Sequence, residues 1–216
     1  MSRTPPLPSL DYPRLFSDPR MFDSRKAFVA AGFKVKQVRD ESIMVGEHPS
    51  VPSYLFKKFS HNVDRDEQRD NYHTRVKGAN AIRSMIERYR LDRLVVPHKW
   101  IYELTSSFSK RRRSAELLIV ERMNLLDMDE TVRRYRSIDR TTLEQLCRVL
   151  HEFSGFDSAI HNLRFTTAGQ IAFFDTESWD RSPRSPVIRV FRRLAEEFTK
   201  DSKKIVKQLF DRLDDE

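Results

Sequence analysis

The chain is short of the residues that staple, bend or anchor a protein. It has one cysteine, Cys147, in 216 residues, which excludes an internal disulfide. The setting of that thiol, LEQLCRVL, reads as a buried position on a helix. Glycine is scarce at five residues, so backbone that must approach a ligand closely has few places to do it. No apolar run approaches the length of a membrane span. The N-terminus, MSRTPPLPSL, lacks the charged-then-apolar layout of a signal peptide. There is no RNP, zinc-finger or helix-turn-helix signature. These absences lead to the expectation of a soluble protein of a reducing, cytoplasmic compartment with no membrane span.

What is present is charge. Charged residues make up 33% of the chain and hydrophobic residues 38%, lean but enough for one sizeable core or two small lobes. The net charge of +8 favours acidic partners such as nucleotides, nucleic acid or anionic surfaces. The basic residues are dispersed, however, and only Lys110 to Arg113 form a run, in a stretch that reads as a solvated loop. The expectation is therefore against a dedicated nucleic-acid function.

Residues 1–32 read as a proline-rich arm ending in a short helix at 21–31 that Gly32 closes. Three strand-like runs follow at 33–38, 42–47 and 53–59, which together suggest an antiparallel meander. Residues 71–90 carry Val76, Ala79, Ile82, Met85, Ile86 and Tyr89 on one helical face. Strand-like runs at 95–104 and 116–123 enclose the basic loop. A polar helix is expected at 128–136. A stronger one follows, capped by Thr141 or Thr142, with Leu143, Leu146, Val149, Leu150 and Phe153 at helical spacing. NLRFT and QIAFFD then form a hairpin that turns at Ala168–Gly169, and the remainder is helical, with Val187, Val190, Phe191, Leu194 and Phe198 on one face. Strands come early and helices late. The fold class this predicts is α+β, with a sheet-rich part at 33–123 and a helical part at 124–216.

The sharpest pattern is the spacing of Asp157, Asn162 and Asp175. Asp157 stands five residues before Asn162 and eighteen before Asp175. An amphipathic helix precedes the first, and an apolar strand ends at the last. This arrangement resembles the catalytic core of the protein kinase superfamily, where an H-R-D-x-x-x-x-N loop follows a helix and a later strand delivers a metal-binding Asp. Here the loop reads Gly155-Phe156-Asp157-Ser158-Ala159-Ile160-His161-Asn162. Asp175-Thr176-Glu177 also resembles the D-x-E of aminoglycoside and choline kinase-like phosphotransferases. The resemblance implies a bilobal kinase-like fold with a small antiparallel N-lobe and a reduced helical C-lobe. It implies ATP and magnesium as cofactors, Asp157 as base, and Asn162 and Asp175 as metal ligands. Tyr54-Leu55-Phe56-Lys57 resembles the strand whose Lys holds the phosphates; Lys58, on the opposite face by alternation, is the other candidate. Leu117 to Leu125 resembles the segment linking the two lobes, whose backbone from Glu121 to Met123 would meet the adenine edge.

The chain also departs from the family pattern. No glycine lies in Arg39-Asp40-Glu41-Ser42, between the first two strands. Gly155-Phe156 replaces the usual His-Arg, with His161 beside Asn162. The helix Glu that pairs with the strand Lys is not evident: Glu67 and Glu87 are the candidates by type. Forty-one residues, 176–216, follow Asp175, too few for the usual peptide-binding platform. The function expected is a minimal kinase moving the ATP γ-phosphate to a hydroxyl on a protein or small molecule, as bacterial effector kinases delivered into host cells do. The alternative is a pseudokinase that binds nucleotide as a scaffold or interaction module.

Overall fold

A computed structural model of the chain describes residues 5–36, 43–59, 64–104, 115–153, 155–177 and 194–215. Arg39 to Ser42, the Lys110–Arg113 run and Val187, Val190 and Phe191 lie outside the described residues. The chain is α+β and divides into two units. One takes residues 3–76 and 98–122 and holds a five-stranded antiparallel sheet; the other takes 77–97 and 123–216 and is mainly helical.

The sheet unit contains the expected meander: β1 (Lys34–Lys36), β2 (Ile43–Glu47) and β3 (Tyr54–Phe59) pair antiparallel in sequence. Strand β6 (Glu116–Glu121) then adds to β3, and β5 (Lys99–Glu103) adds to β6, giving the order β1-β2-β3-β6-β5. β3 is therefore the central strand, buried on both sides by alternating residues.

The N-terminal arm has more structure than its prolines suggest. It contains α1 (Tyr12–Leu15), a 3-10 turn at Pro19–Phe22 and α2 (Arg25–Ala30). Its apolar residues form a core with the sheet: Phe16, Phe22, Phe28, Phe33 and Phe56 are all buried, and Phe28 stacks on Phe33 with centroids 4.2 Å apart. Tyr12 lies flat on Tyr102 at 4.2 Å, and Trp100 Nε1 donates to the Pro5 carbonyl at 3.1 Å. Gly32 closes α2 with φ +93°, as its place in the sequence predicts.

His48 packs edge-on against Phe33 at 4.9 Å, with Nδ1 2.7 Å from Ser50 Oγ. Burial, with Arg14 nearby, pulls its pKa below the ordinary 6.5. The ring is neutral in both folded and unfolded chains above that value. As pH falls below it, the unfolded chain takes the proton first, so stability drops. Melting temperature should decline between pH 7 and pH 5, and His48→Gln should flatten that slope; equal slopes for the two chains would remove His48 from the account.

Helix α3 (Arg65–Tyr89) starts six residues earlier than the apolar spacing predicts. Residues 65–76 belong to the sheet unit and 77–89 to the helical unit. In the helical unit, α4 (Met128–Arg136) falls where the sequence places it. Helix α5 (Arg140–Glu152) is capped by Asp139 rather than by Thr141 or Thr142: Asp139 Oδ1 accepts from the Thr142 amide at 2.9 Å and Oδ2 from the Thr142 hydroxyl at 2.6 Å. The two-oxygen carboxylate satisfies both donors at once. Burial raises the pKa of Asp139, but these bonds and the Arg93 charge hold it below the usual carboxylate range. Cys147 is buried on α5, and burial pushes its thiol pKa up, as expected of an inert core cysteine.

Helix α6 (Lys200–Asp214) packs on α5 through Leu209 and Phe210. The run read as one strand at 95–104 is split at Pro97. Its first part, β4 (Leu94–Val95), pairs in parallel with β8 (Ile171–Phe173), and β8 pairs antiparallel with β7 (Leu163–Phe165). Pro97 lacks the amide needed to continue the ladder.

Candidate functional site

The hairpin β7–β8 and the loop before it carry the predicted Asp157, Asn162 and Asp175. Helix α5 ends at Glu152, and Phe156, three residues past its C-cap Phe153, bonds back to the Phe153 carbonyl at 2.9 Å. The Phe156 ring is buried edge-on against Phe173 of β8 at 5.3 Å. This contact seats the loop on the strand that leads to Asp175.

Asp157 follows directly. Its Oδ1 accepts from the Ala159 amide at 3.2 Å, which fixes the side chain in a local turn. A 3-10 turn, Ile160–Asn162, brings the chain round, and the Asn162 amide bonds to the Ala159 carbonyl at 2.8 Å. The Asn162 side chain is 7% exposed, and its Nδ2 donates to the Asp157 carbonyl at 3.3 Å. A carbonyl can only accept, so the amide nitrogen must face it and Oδ1 is turned the other way. The Asn162 carbonyl accepts in turn from the Phe174 amide at 3.0 Å, extending the Leu163–Phe173 register by one pair. Asp175 is the next residue. One chain of bonds thus links Asp157, Asn162 and the strand end carrying Asp175.

The hairpin is supported from below. Tyr135 of α4 is fully buried and donates its hydroxyl to the Leu163 carbonyl at 2.8 Å; burial raises its pKa. The turn is closed by Gly169 with φ +84°, where a side chain would be strained although space is open. Asp175 is half-buried, Thr176 is fully buried, and Asp175 Oδ1 lies 3.5 Å from the Glu177 amide. His161 is exposed beside Asn162.

The other predicted residues are placed as follows. Lys57 is half-buried on β3, paired in register with Val45 and Leu118. Lys58 is fully buried, and its Nζ donates to the Glu116 carbonyl at 2.6 Å. The Glu121 amide donates to the His98 carbonyl at 2.9 Å, and Glu121 Oε2 accepts from the His98 amide at 3.0 Å. Met123 is half-buried in the helical unit; neither its N–H nor its C=O makes a hydrogen bond among the described residues. Its neighbour Asn124 is held by the Thr167 amide at 2.9 Å. Glu67 and Glu87 are both exposed, and neither forms an ion pair among the described residues.

Sequence reasoning missed Tyr72, His73 and Glu116, which meet Lys58 where the first half of α3 lies on the sheet. Tyr72 continues the Val76 stripe by one turn, and that spacing was the available signal.

The donor set at the hairpin fits magnesium. The Asp175 carboxylate and the Asn162 amide oxygen are hard oxygen donors. Among the described residues no group of three or more His, Cys, Asp or Glu is placed to hold a metal. A magnesium site needs no such cage, because the ion keeps water and phosphate oxygens in its shell.

No protein-family model matches the chain, and no curated protein matches it. Among solved structures it is similar to WbdD in its co-crystal structure with the kinase inhibitor LY294002, at 14% identity and a TM-score of 0.44. The match covers 82% of this chain and 45% of that one, so this chain spans less than half the length of its neighbour. A likeness of that degree decides nothing about chemistry.

Proposed function

We propose that the chain is a minimal kinase-like phosphotransferase that moves the γ-phosphate of ATP to a hydroxyl acceptor, with a protein as the favoured acceptor. The observation that carries this reading is the bond chain through Asn162, which ties the Asp157 loop to the strand end bearing Asp175. Asp157 orients the acceptor hydroxyl and takes its proton. Asn162 Oδ1 and the Asp175 carboxylate would hold magnesium, which would offset phosphate charge. Lys57 meets the phosphates, and the backbone of Met123, which makes no hydrogen bond among the described residues, supplies a donor and an acceptor for the adenine edge. Glu121 contributes less, since its amide is already engaged by His98.

Lys57 and Lys58 separate by test. Lys57→Met should lower transfer of labelled phosphate roughly 10²- to 10³-fold with little change in melting temperature. Lys58→Met should instead destabilise, because it strips the donor from the buried Glu116 carbonyl. That costs about 1–3 kcal/mol, or roughly 2–12 °C in a chain of this size. The reverse pattern would assign the phosphate role to Lys58.

A pseudokinase reading is favoured by one observation: among the described residues neither Glu67 nor Glu87 of α3 is ion-paired. Stabilisation by Mg-ATP without transfer, even to the chain itself, would establish it.

A further inference from the structure

The first half of α3 turns Gln68, Arg69, Tyr72, His73 and Val76 towards the sheet, at spacings of three and four residues. Tyr72 and Gln68 are fully buried. The Tyr72 hydroxyl accepts from the amide of Phe59, the last residue of β3, at 2.7 Å, and Val76 packs with Phe59, Leu118 and Val120. At the rim of this contact stands Glu116, whose side chain is 7% exposed. Its Oε1 lies 3.2 Å from Arg69 Nε and 3.2 Å from His73 Nε2, both on α3. Its backbone carbonyl takes the buried ammonium of Lys58. Helix and sheet are thus joined by a carboxylate on the strand and by the Arg69 guanidinium and the His73 ring on the helix.

We infer that Glu116 is the positioning residue that seats the first half of α3 on the sheet and so sets the place of Lys57 on β3. Removing one partner from a carboxylate taken largely out of water is costly, so the helix cannot leave without stranding Glu116. Arg69 and His73 are one turn apart and close on the same oxygen, which ties one register of the helix to β6. Lys57 pairs with Leu118, two residues along β6 from Glu116, and Lys58 binds Glu116 itself. A shift at Glu116 is therefore carried to Lys57 through the β3–β6 ladder. The consequence for catalysis rests on the phosphotransferase reading; the seat itself does not.

Hydrogen exchange of the full chain without nucleotide tests the seat. Glu116→Gln should speed exchange of amides 68–76 about tenfold or more and leave β7 and β8 unchanged. The double variant Arg69→Gln/His73→Gln, at sites 63% and 44% exposed, should give the same local effect if Glu116→Gln folds poorly. All three substitutions together should be no worse than Glu116→Gln alone, as for groups acting as one unit. In the transfer assay, Glu116→Gln should raise KM for Mg-ATP roughly tenfold with kcat changed less than threefold. Unchanged exchange at 68–76, or effects that simply multiply, would overturn the seat. Faster exchange in a chain that transfers no phosphate would retain the seat and overturn the phosphotransferase reading instead.

Discussion

If the chain is a phosphotransferase with Asp157 as its base, Asp157→Asn should lower phosphoryl transfer by about 10²- to 10⁴-fold, the usual contribution of a positioned general base. The substitution is nearly isosteric. Its Oδ1 can still accept from the Ala159 amide, as Asp157 Oδ1 does at 3.2 Å. The bond from Asn162 goes to the backbone carbonyl of residue 157 and is untouched. Melting temperature should therefore stay within a degree or two while the initial rate of labelled phosphate transfer collapses. Transfer at the native rate would move the base elsewhere. Because the loop is seated by Phe156 on Phe173, a loss of activity that came with a loss of fold would point to that contact.

Phe28→Ala removes about 3–5 kcal/mol, or roughly 6–20 °C of melting temperature. Phe28 is fully buried, stacks on Phe33 and lies 5.5 Å from Phe22. It also lies directly over Gly46 of β2, where a Cβ would come within 2.4 Å of its ring. The same contact makes Gly46→Ala an overpacking change of about 1–3 kcal/mol. A thermal melt of the two variants separates an arm that is part of the core from one that merely lies on it. A loss of less than about 1 kcal/mol for Phe28→Ala would show that the arm is dispensable.

That arm marks the limit of local pattern reading. Five prolines within its first nineteen residues suggest irregular chain, and its phenylalanines find partners only on strands that come later. The meander, α4 and the hairpin were legible because each is specified by its own periodicity and turn residues. The parallel pairing of β4 with β8 was not, since it joins residues 77 apart, as in Leu94 with Ile171. Periodicity also placed the apolar half of α3 and missed its first turns, whose sheet-facing side includes Arg69 and His73. A polar residue facing a buried carboxylate looks, in sequence, like one facing water. At the candidate site, spacing alone singled out Asp157, Asn162 and Asp175, and the bonds that run through Asn162 emerged only with the fold.

The most direct test of the account is the melting temperature of the native chain and of Asp175→Ala, each with and without Mg-ATP. A ligand that binds only the folded state adds about 2.7 kcal/mol at a hundredfold excess over Kd, or roughly 5–11 °C for a chain of this length. The account predicts that rise for the native chain and its loss in Asp175→Ala. No rise for the native chain, or an equal rise in both, would contradict a magnesium–nucleotide site at the hairpin.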